Sequence, residues 1–191
     1  MSELFIKRQF LSLAECEALN AWVDEGVKQR WLDVGVSGNS GWAYKDRLTT
    51  RNYGRRFNYP AVVYKVFDAI TTALDLHGIP KSISSGGKDG VVVSYTLPSG
   101  SVFPHKDQMD GDLHVLRCNV MTRTADAGAE LFIDGKKIDI GVGDLHCYLP
   151  SDVEHYVTTV EGSTPRVMWM FGYQVSKQSW LNKMEELHVC Q

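Results

Sequence analysis

The stretch LHVLRCNVM, from Leu113 to Met121, is the longest of six short runs that are rich in β-branched and aromatic residues. The other five runs are Val91–Tyr95, Glu130–Ile133, Asp144–Leu149, Tyr156–Val160 and Arg166–Tyr173. Turn-forming residues separate them, and Asp134-Gly135 is a dipeptide typical of a hairpin turn. Many short strands at this spacing favour a β-sandwich or barrel over a parallel sheet with crossover helices.

Three helices are predicted, two before this β-rich region and one after it. Ser12 and Glu15 form a capping-box signature, and the apolar residues that follow recur at helical spacing, so a first helix should span Leu13–Arg30. A second helix should begin near Pro60, because proline suits the first turn of a helix. An amphipathic segment, Ser176–Leu187, predicts the third. The chain has no internal repeat and no convincing linker, which indicates one α+β domain.

The composition is that of an ordinary globular protein. The 191 residues carry a formal net charge of -3, so no overall basic field draws the protein to nucleic acid or anionic lipid. The first residues lack the pattern of a secretory signal, and no apolar run reaches the about 20 residues that a membrane span requires. The four cysteines are scattered along the chain: Cys16, Cys118, Cys147 and Cys190. These features predict a cytoplasmic protein with reduced thiols.

A candidate metal site begins at His105-Lys106-Asp107. Residues two apart in an extended segment project to the same side, so His105 and Asp107 can face one ion, and His155 supplies a second imidazole. Two histidines and one carboxylate leave coordination positions open, as in non-haem iron(II) oxygenases, whereas structural zinc prefers four protein ligands. The sequence therefore predicts that these three residues bind iron and form the catalytic centre.

Arg166 is the second feature that indicates a site. It opens an apolar strand, Val167–Phe171, where an unpaired buried charge would be costly and an anionic partner is expected. A guanidinium binds a carboxylate through two parallel hydrogen bonds. Arg166 is therefore suited to the distal carboxylate of a dicarboxylic acid.

The order of these residues, His105-x-Asp107, then His155, then Arg166, resembles the signature of the Fe(II)/2-oxoglutarate-dependent dioxygenases. The resemblance is to the prolyl 4-hydroxylase-like branch and covers residues 91–175, including Gly143-Asp144-Leu145. It implies a double-stranded β-helix (jelly roll) with supporting N-terminal helices. Residues 1–80 would be the helical support, 91–175 the jelly-roll core and 176–191 a C-terminal helix.

The same resemblance implies roles for single residues. His105, Asp107 and His155 would hold Fe(II), and Arg166 would bind the outer carboxylate of 2-oxoglutarate, a position where many members have lysine. Tyr95 lies where relatives often place a tyrosine hydroxyl on the cosubstrate, and its alternative role is an aromatic residue in the core. The implied reaction hydroxylates a substrate while 2-oxoglutarate is converted to succinate and carbon dioxide, with ascorbate as a candidate reductant.

Other polar residues of the β-rich region are open to two interpretations. Arg117 and Asn119 share one face of a strand, and they either line the substrate or cosubstrate pocket or belong to a solvated face. His114 and His146 lack the residue context that precedes the distal histidine of the family. Both are interpreted as structural or pocket-wall residues.

The segment Lys45–Phe57 mixes cations with aromatic residues, a composition that can bind phosphate and stack on bases. It is weakly similar to a stretch of the AlkB-like nucleic-acid dealkylases of the same superfamily. However, Val93 stands where those proteins have an asparagine, and their paired arginines are not reproduced. A solvated basic loop or a lid over the substrate is the preferred interpretation, and a nucleic-acid contact is the alternative.

The substrate is not encoded in any readable motif, because specificity in such folds resides in the loops around the barrel mouth. The candidates are a peptidyl side chain such as proline, a free amino acid or other small molecule, and a nucleobase. A non-catalytic jelly-roll module that binds a metal or ligand is the alternative from another functional class.

Overall fold

The computed structural model describes residues 4–30, 32–34, 44–49, 58–82, 90–109 and 111–189. Three helices lie in these ranges: α1 (Leu13–Lys28), α2 (Ala61–Ala73) and α3 (Lys177–Val189). The capping box predicted at Ser12 is present, and Pro60 is the residue before the first turn of α2. In the described part of the chain, no helix combines the length and apolar character that crossing a membrane needs.

The strands are mostly short, and the described residues form twelve of them. They are β1 (Phe5–Lys7), β2 (Asp33–Val34), β3 (Tyr44–Thr49), β4 (Val91–His105), β5 (His114–Arg123), β6 (Ala127–Gly128), β7 (Leu131–Ile133), β8 (Lys136–Ile138), β9 (Leu145–Tyr148), β10 (His155–Val157), β11 (Val160–Glu161) and β12 (Arg166–Val175). Each of the six predicted runs contributes a strand. The run Tyr156–Val160 divides between β10 and β11, and β1, β2, β3, β6 and β8 lie outside the predicted runs.

The strand order of the main sheet explains how the molecule curls. The order is β1-β9-β5-β12-β4-β10-β7-β8, and all pairings are antiparallel. The long strand β4 pairs with β12 through residues 91–96 and with β10 from Val102 to His105. One strand therefore belongs to both halves of the sheet. The predicted double-stranded β-helix with supporting helices is confirmed.

The hydrophobic core lies between the helices and one face of the sheet. Alternation along β4 places Val91, Val93 and Tyr95 on the helix side, packed with Trp169. The other face of β4 carries Val92, which packs with the methionines of β5 and β12. The inside of the curled sheet is therefore a second, smaller apolar layer, and it leaves room for polar side chains near β10.

The basic segment Lys45–Phe57 begins as a strand and not as the predicted loop. β3 pairs with β4, so the edge of β4 that would otherwise expose its backbone groups is covered. Arg47 is buried, and its Nε donates a hydrogen bond to the Ser94 hydroxyl. Residues 50–57 lie outside the described ranges, and the lid and nucleic-acid interpretations remain predictions for them.

A turn directly before Arg166 is held by the exposed carboxylate of Asp126. That carboxylate accepts hydrogen bonds from the Thr164 hydroxyl at 2.6 Å and from the backbone N–H groups of Ser163 and Thr164 at 2.7 and 3.0 Å. These bonds lower the pKa of Asp126 to about 2. Gly162 has φ +86°, and a Cβ there would lie 2.5 Å from Asp126 Oδ2. The turn therefore requires both residues, and it fixes the start of β12.

We expect Asp126→Asn to lower the melting temperature by a few degrees at pH 7 and by less as the pH falls. A carboxylate whose folded pKa is lowered stabilises the protein above its unfolded pKa of about 3.9, and this contribution is lost as the pH falls towards the folded value. Thermal denaturation of both proteins between pH 7 and pH 3 measures the difference. A difference that does not shrink below about pH 4 would contradict this role of the carboxylate.

Candidate metal centre

The three predicted metal ligands meet at the junction of β4 and β10. His105 is the last residue of β4 and lies directly opposite His155 in the antiparallel register. The centroids of the two imidazole rings are 4.3 Å apart. One donor atom from each of His105, Asp107 and His155 lies within 4.8 Å of the other two. This mixed nitrogen and oxygen set fits a divalent transition metal, and it leaves coordination positions for other ligands.

Backbone carbonyl groups orient both histidines. The Nδ1 of His105 lies 2.7 Å from the Phe103 carbonyl oxygen, and the Nδ1 of His155 lies 3.3 Å from that of Val153. A carbonyl only accepts, so each Nδ1 carries the hydrogen in the neutral ring. The Nε2 lone pair then remains for a metal, which is the usual arrangement of a metal-binding histidine.

The protonation state of His155 also suits a metal ligand. Burial lowers its pKa to about 4, and the positive charges of His105 and Arg117 act in the same direction. The nearby carboxylate of Asp107 opposes this shift but is outweighed. His155 is therefore neutral at physiological pH, so its Nε2 lone pair is available.

Asp107 has two differently placed oxygens. Oδ1 lies 3.5 Å from His105 Nε2, on the side of the triad. Oδ2 forms an ion pair with Arg117 Nη2 at 2.5 Å. The sequence left two interpretations of Arg117 open, a pocket residue or a solvated strand face. The structure buries Arg117 and places its guanidinium against the carboxylate of a predicted metal ligand.

Arg166 lies at the first position of β12 with 3% of its surface exposed. Within the ranges that the structure describes, its Nε and Nη2 have no hydrogen-bond partner. Burial lowers the pKa of Arg166 to about 10, and the charge of Arg47 adds to the effect. The group stays charged at pH 7, and a buried donor without a partner is costly. A carboxylate in this place would satisfy it.

Thr96 is the residue directly opposite Arg166 across β4 and β12. Its buried hydroxyl likewise has no hydrogen-bond partner among the described residues. The Thr96 hydroxyl and the Nε and Nη2 of Arg166, none of which has a hydrogen-bond partner in the described part of the chain, therefore lie on neighbouring strands inside the curled sheet. Sequence reasoning did not single out Thr96, although the strand register identifies it at once.

Tyr95 lies on the opposite face of β4 from Thr96. It packs in the helix-side core, where burial raises the pKa of its hydroxyl, with Asp24 adding to the shift and Arg123 opposing it. Its register partner is Val167 and not Arg166. The structure therefore does not bring Tyr95 together with Arg166 and matches the alternative role in the core.

The remaining polar residues lie around the triad without joining it. Asn119 Nδ2 is 3.2 Å from His146 Nε2, and burial lowers the pKa of His146 to about 3. His114 Nδ1 lies 2.8 Å from the Ser151 hydroxyl and 3.0 Å from Asp152 Oδ1. His114 and His146 therefore have hydrogen-bonding roles in the structure, and neither belongs to the group of candidate metal ligands.

Comparison with known proteins gives no matching family model and no matching curated sequence. Solved structures do match. A Pseudomonas putida prolyl-4-hydroxylase has a TM-score of 0.63 at 16% identity, covering 93% of this chain and 94% of that one. A Trichoplax adhaerens prolyl hydroxylase, in complex with a hypoxia inducible factor peptide fragment, has a TM-score of 0.68 at 10% identity, covering 95% and 87%.

A third similar structure is HygX from Streptomyces hygroscopicus, solved with nickel and 2-oxoglutarate bound. Its TM-score is 0.61 at 10% identity, and the match covers 92% of this chain and 84% of that one. At these identities the likeness establishes the fold. The chain has the double-stranded β-helix fold of the prolyl hydroxylases.

Proposed function

We propose that this chain is an Fe(II)- and 2-oxoglutarate-dependent dioxygenase that hydroxylates an organic substrate. The observation that carries the proposal is the convergence of His105, Asp107 and His155, with their donor atoms within 4.8 Å of one another. Two imidazoles and a carboxylate that meet at the junction of two strands are a grouping typical of a transition-metal site. The fold and the buried guanidinium of Arg166 support the same reaction class.

In this proposal, one group of residues binds the metal and another binds the keto acid. The Nε2 atoms of the two histidines and the Oδ1 of Asp107 would hold Fe(II). Arg166 would pair with the far carboxylate of 2-oxoglutarate, with the Thr96 hydroxyl as an additional donor. When bound, iron and 2-oxoglutarate would let molecular oxygen act as the oxidant: one oxygen atom would enter the substrate as a hydroxyl group, and the other would enter the succinate that forms, with carbon dioxide, from the keto acid. The protein's own part is to orient both groups and to exclude water.

For the substrate we propose a peptidyl side chain such as proline, or a small molecule. The peptide is supported by the similar Trichoplax adhaerens structure, which holds a peptide fragment. A nucleic acid is less well supported, because the net charge is -3 and provides no general attraction to phosphate. On the sequence grounds given above, we further propose that the chain is one domain and that it acts in the cytoplasm.

The protein supplied with Fe(II), ascorbate and 2-oxoglutarate in air should form succinate slowly without substrate and faster with the correct one. Zn(II) in place of Fe(II) should give none, because zinc has no redox chemistry. Succinate is measured by chromatography, and 2-oxoglutarate binding is measured anaerobically by calorimetry. A metal-loaded protein that does not bind the keto acid would contradict the proposal. Binding without consumption of 2-oxoglutarate would instead indicate the non-catalytic module.

A further inference from the structure

We propose that Arg117 is a positioning residue that keeps the Asp107 carboxylate on the metal through a single oxygen. This inference rests on the proposed function only in assuming that the triad binds a divalent metal. A carboxylate can bind a metal through one oxygen or through both. In this site the two oxygens have different neighbours, and Arg117 is the neighbour of one of them.

The geometry separates the two oxygens of Asp107. Oδ1 points to the triad, 3.5 Å from His105 Nε2, while Oδ2 lies 2.5 Å from Arg117 Nη2. For Oδ2 to reach a metal held by Oδ1 and the histidines, the carboxylate would have to rotate away from the guanidinium. This rotation would separate a close pair in which the Arg117 side chain is 5% exposed and that of Asp107 is 10% exposed, so water replaces the lost contact poorly.

Both partners are held from other directions as well. The backbone N–H of Asp107 donates to the Pro150 carbonyl at 2.9 Å, which fixes the origin of the side chain. Arg117 lies within β5, and its Nη1 donates a hydrogen bond to Met170 Sδ at 3.2 Å. The guanidinium therefore cannot simply follow the carboxylate if the carboxylate turns. Strands β5 and β12 therefore both hold the Arg117 side chain in place against Asp107.

The functional consequence concerns the open coordination positions. A second oxygen from Asp107 would fill one of the positions that the keto acid and oxygen need. Arg117 holds that oxygen elsewhere, so the triad contributes one atom per residue and the rest of the coordination sphere stays available. Partners of metal ligands commonly change metal affinity or activity by about 10- to 100-fold when they are removed.

The experiment compares the wild type with Arg117→Met, each saturated with Mn(II) under anaerobic conditions. The relaxation of water protons by the bound Mn(II) reports how many exchangeable waters the metal carries. If Asp107 becomes bidentate, one of three water positions is lost and the relaxation per metal should fall by about one third. The affinity for 2-oxoglutarate, measured by calorimetry, should fall by about tenfold or more, because the keto acid must displace the second oxygen.

The matched control is Arg123→Met, which removes an arginine paired with a carboxylate, Asp24, from the far end of the same strand. It should leave both measurements at the wild-type value. Loss of the Arg117 charge alone would weaken keto acid binding but leave the water count unchanged, so an unchanged relaxation in Arg117→Met overturns the proposal. If that variant does not fold, Arg117→Lys replaces it, because a flexible ammonium does not reproduce the fixed planar donor. A wild-type water count in Arg117→Lys would then overturn the proposal.

The same experiment separates the two proposals. A wild-type protein that binds no Mn(II) overturns the metal site, and the proposed function and the role of Arg117 fail together. A wild type that binds both Mn(II) and 2-oxoglutarate, with an unchanged water count in Arg117→Met, overturns only the role of Arg117.

Discussion

Asp107→Ala should bind Fe(II) at least about 100-fold more weakly than the wild type and should form no succinate above the metal-free background. Asp107 is the one carboxylate of the triad, and its loss leaves two imidazoles as the protein ligands. The substitution also leaves Arg117 without the carboxylate that it faces at 2.5 Å. A buried positive charge then remains beside the cation site, so ligand loss and electrostatic repulsion act in the same direction.

A second substitution tests this explanation. In the double variant Asp107→Ala/Arg117→Met the repulsion is gone, so metal affinity should recover in part relative to Asp107→Ala. Asp24→Ala is the control, because it breaks the other aspartate–arginine pair of β5 at Arg123, away from the triad. It should bind metal as the wild type does. Calorimetric titration with Fe(II) under anaerobic conditions measures all four proteins, and near-normal affinity in Asp107→Ala would remove Asp107 from the site.

The sequence predicted the triad because part of it is local. His105 and Asp107 are two residues apart, so an extended segment is expected to project both side chains to one side, although β4 itself ends at His105. The position of His155 opposite His105 depends on the register between β4 and β10, which no local sequence pattern predicts. Its assignment came from a family resemblance and from the kind of ligands that iron prefers.

Tyr95 illustrates why counting along a strand fails when the strand is irregular. Tyr95 and His105 differ by ten positions, an even number, so simple alternation places both side chains on one face. In the structure, the register with β3 passes from Ser101 opposite Lys45 to Thr96 opposite Arg47, so β4 contains surplus residues between these points. Ser99, at φ +66°, lies within this bulge. The register with β10 shifts as well, between Val102 and His105, so alternation cannot be counted along β4 from Tyr95 to His105. The register with β12 places Thr96, and not Tyr95, opposite Arg166.

The contact between Arg117 and Asp107 could not be predicted from the sequence for a related reason. Alternation correctly predicts that Arg117 and Asn119 share a face of β5, and the structure places both beside groups of the inner face. Which group lies opposite depends on the path of the chain between β4 and β5, and the turn dipeptide Asp110-Gly111 in that segment does not predict where the side chain of Asp107 lies. Likewise β3 was missed because Lys-Asp-Arg is a poor strand sequence, and its pairing is determined by the free edge of β4.

Arg166→Met should weaken 2-oxoglutarate binding by about 100-fold or more and at the same time raise the melting temperature of the ligand-free protein. Each charge-assisted hydrogen bond to a carboxylate contributes about 1.5 to 3 kcal/mol, so loss of a bidentate pair accounts for the affinity. The stability gain follows from the buried Nε and Nη2, which have no hydrogen-bond partner among the described residues. Methionine has no such groups, and it would lie in the layer of Met168 and Met170.

A substitution that raises stability and lowers affinity indicates a residue whose function is to bind the ligand. Substitution of an arginine with a structural role would lower the stability, with or without a loss of affinity. Arg123→Met is the matched control, because Arg123 is paired with Asp24 at 2.7 Å, and its loss should lower the melting temperature and leave keto acid binding intact. Scanning calorimetry with and without 2-oxoglutarate on the Mn(II)-loaded proteins measures both quantities. If Arg166→Met were less stable than the ligand-free wild type, Arg166 would have a partner within the protein. The carboxylate pocket would then have to be sought elsewhere in the curled sheet.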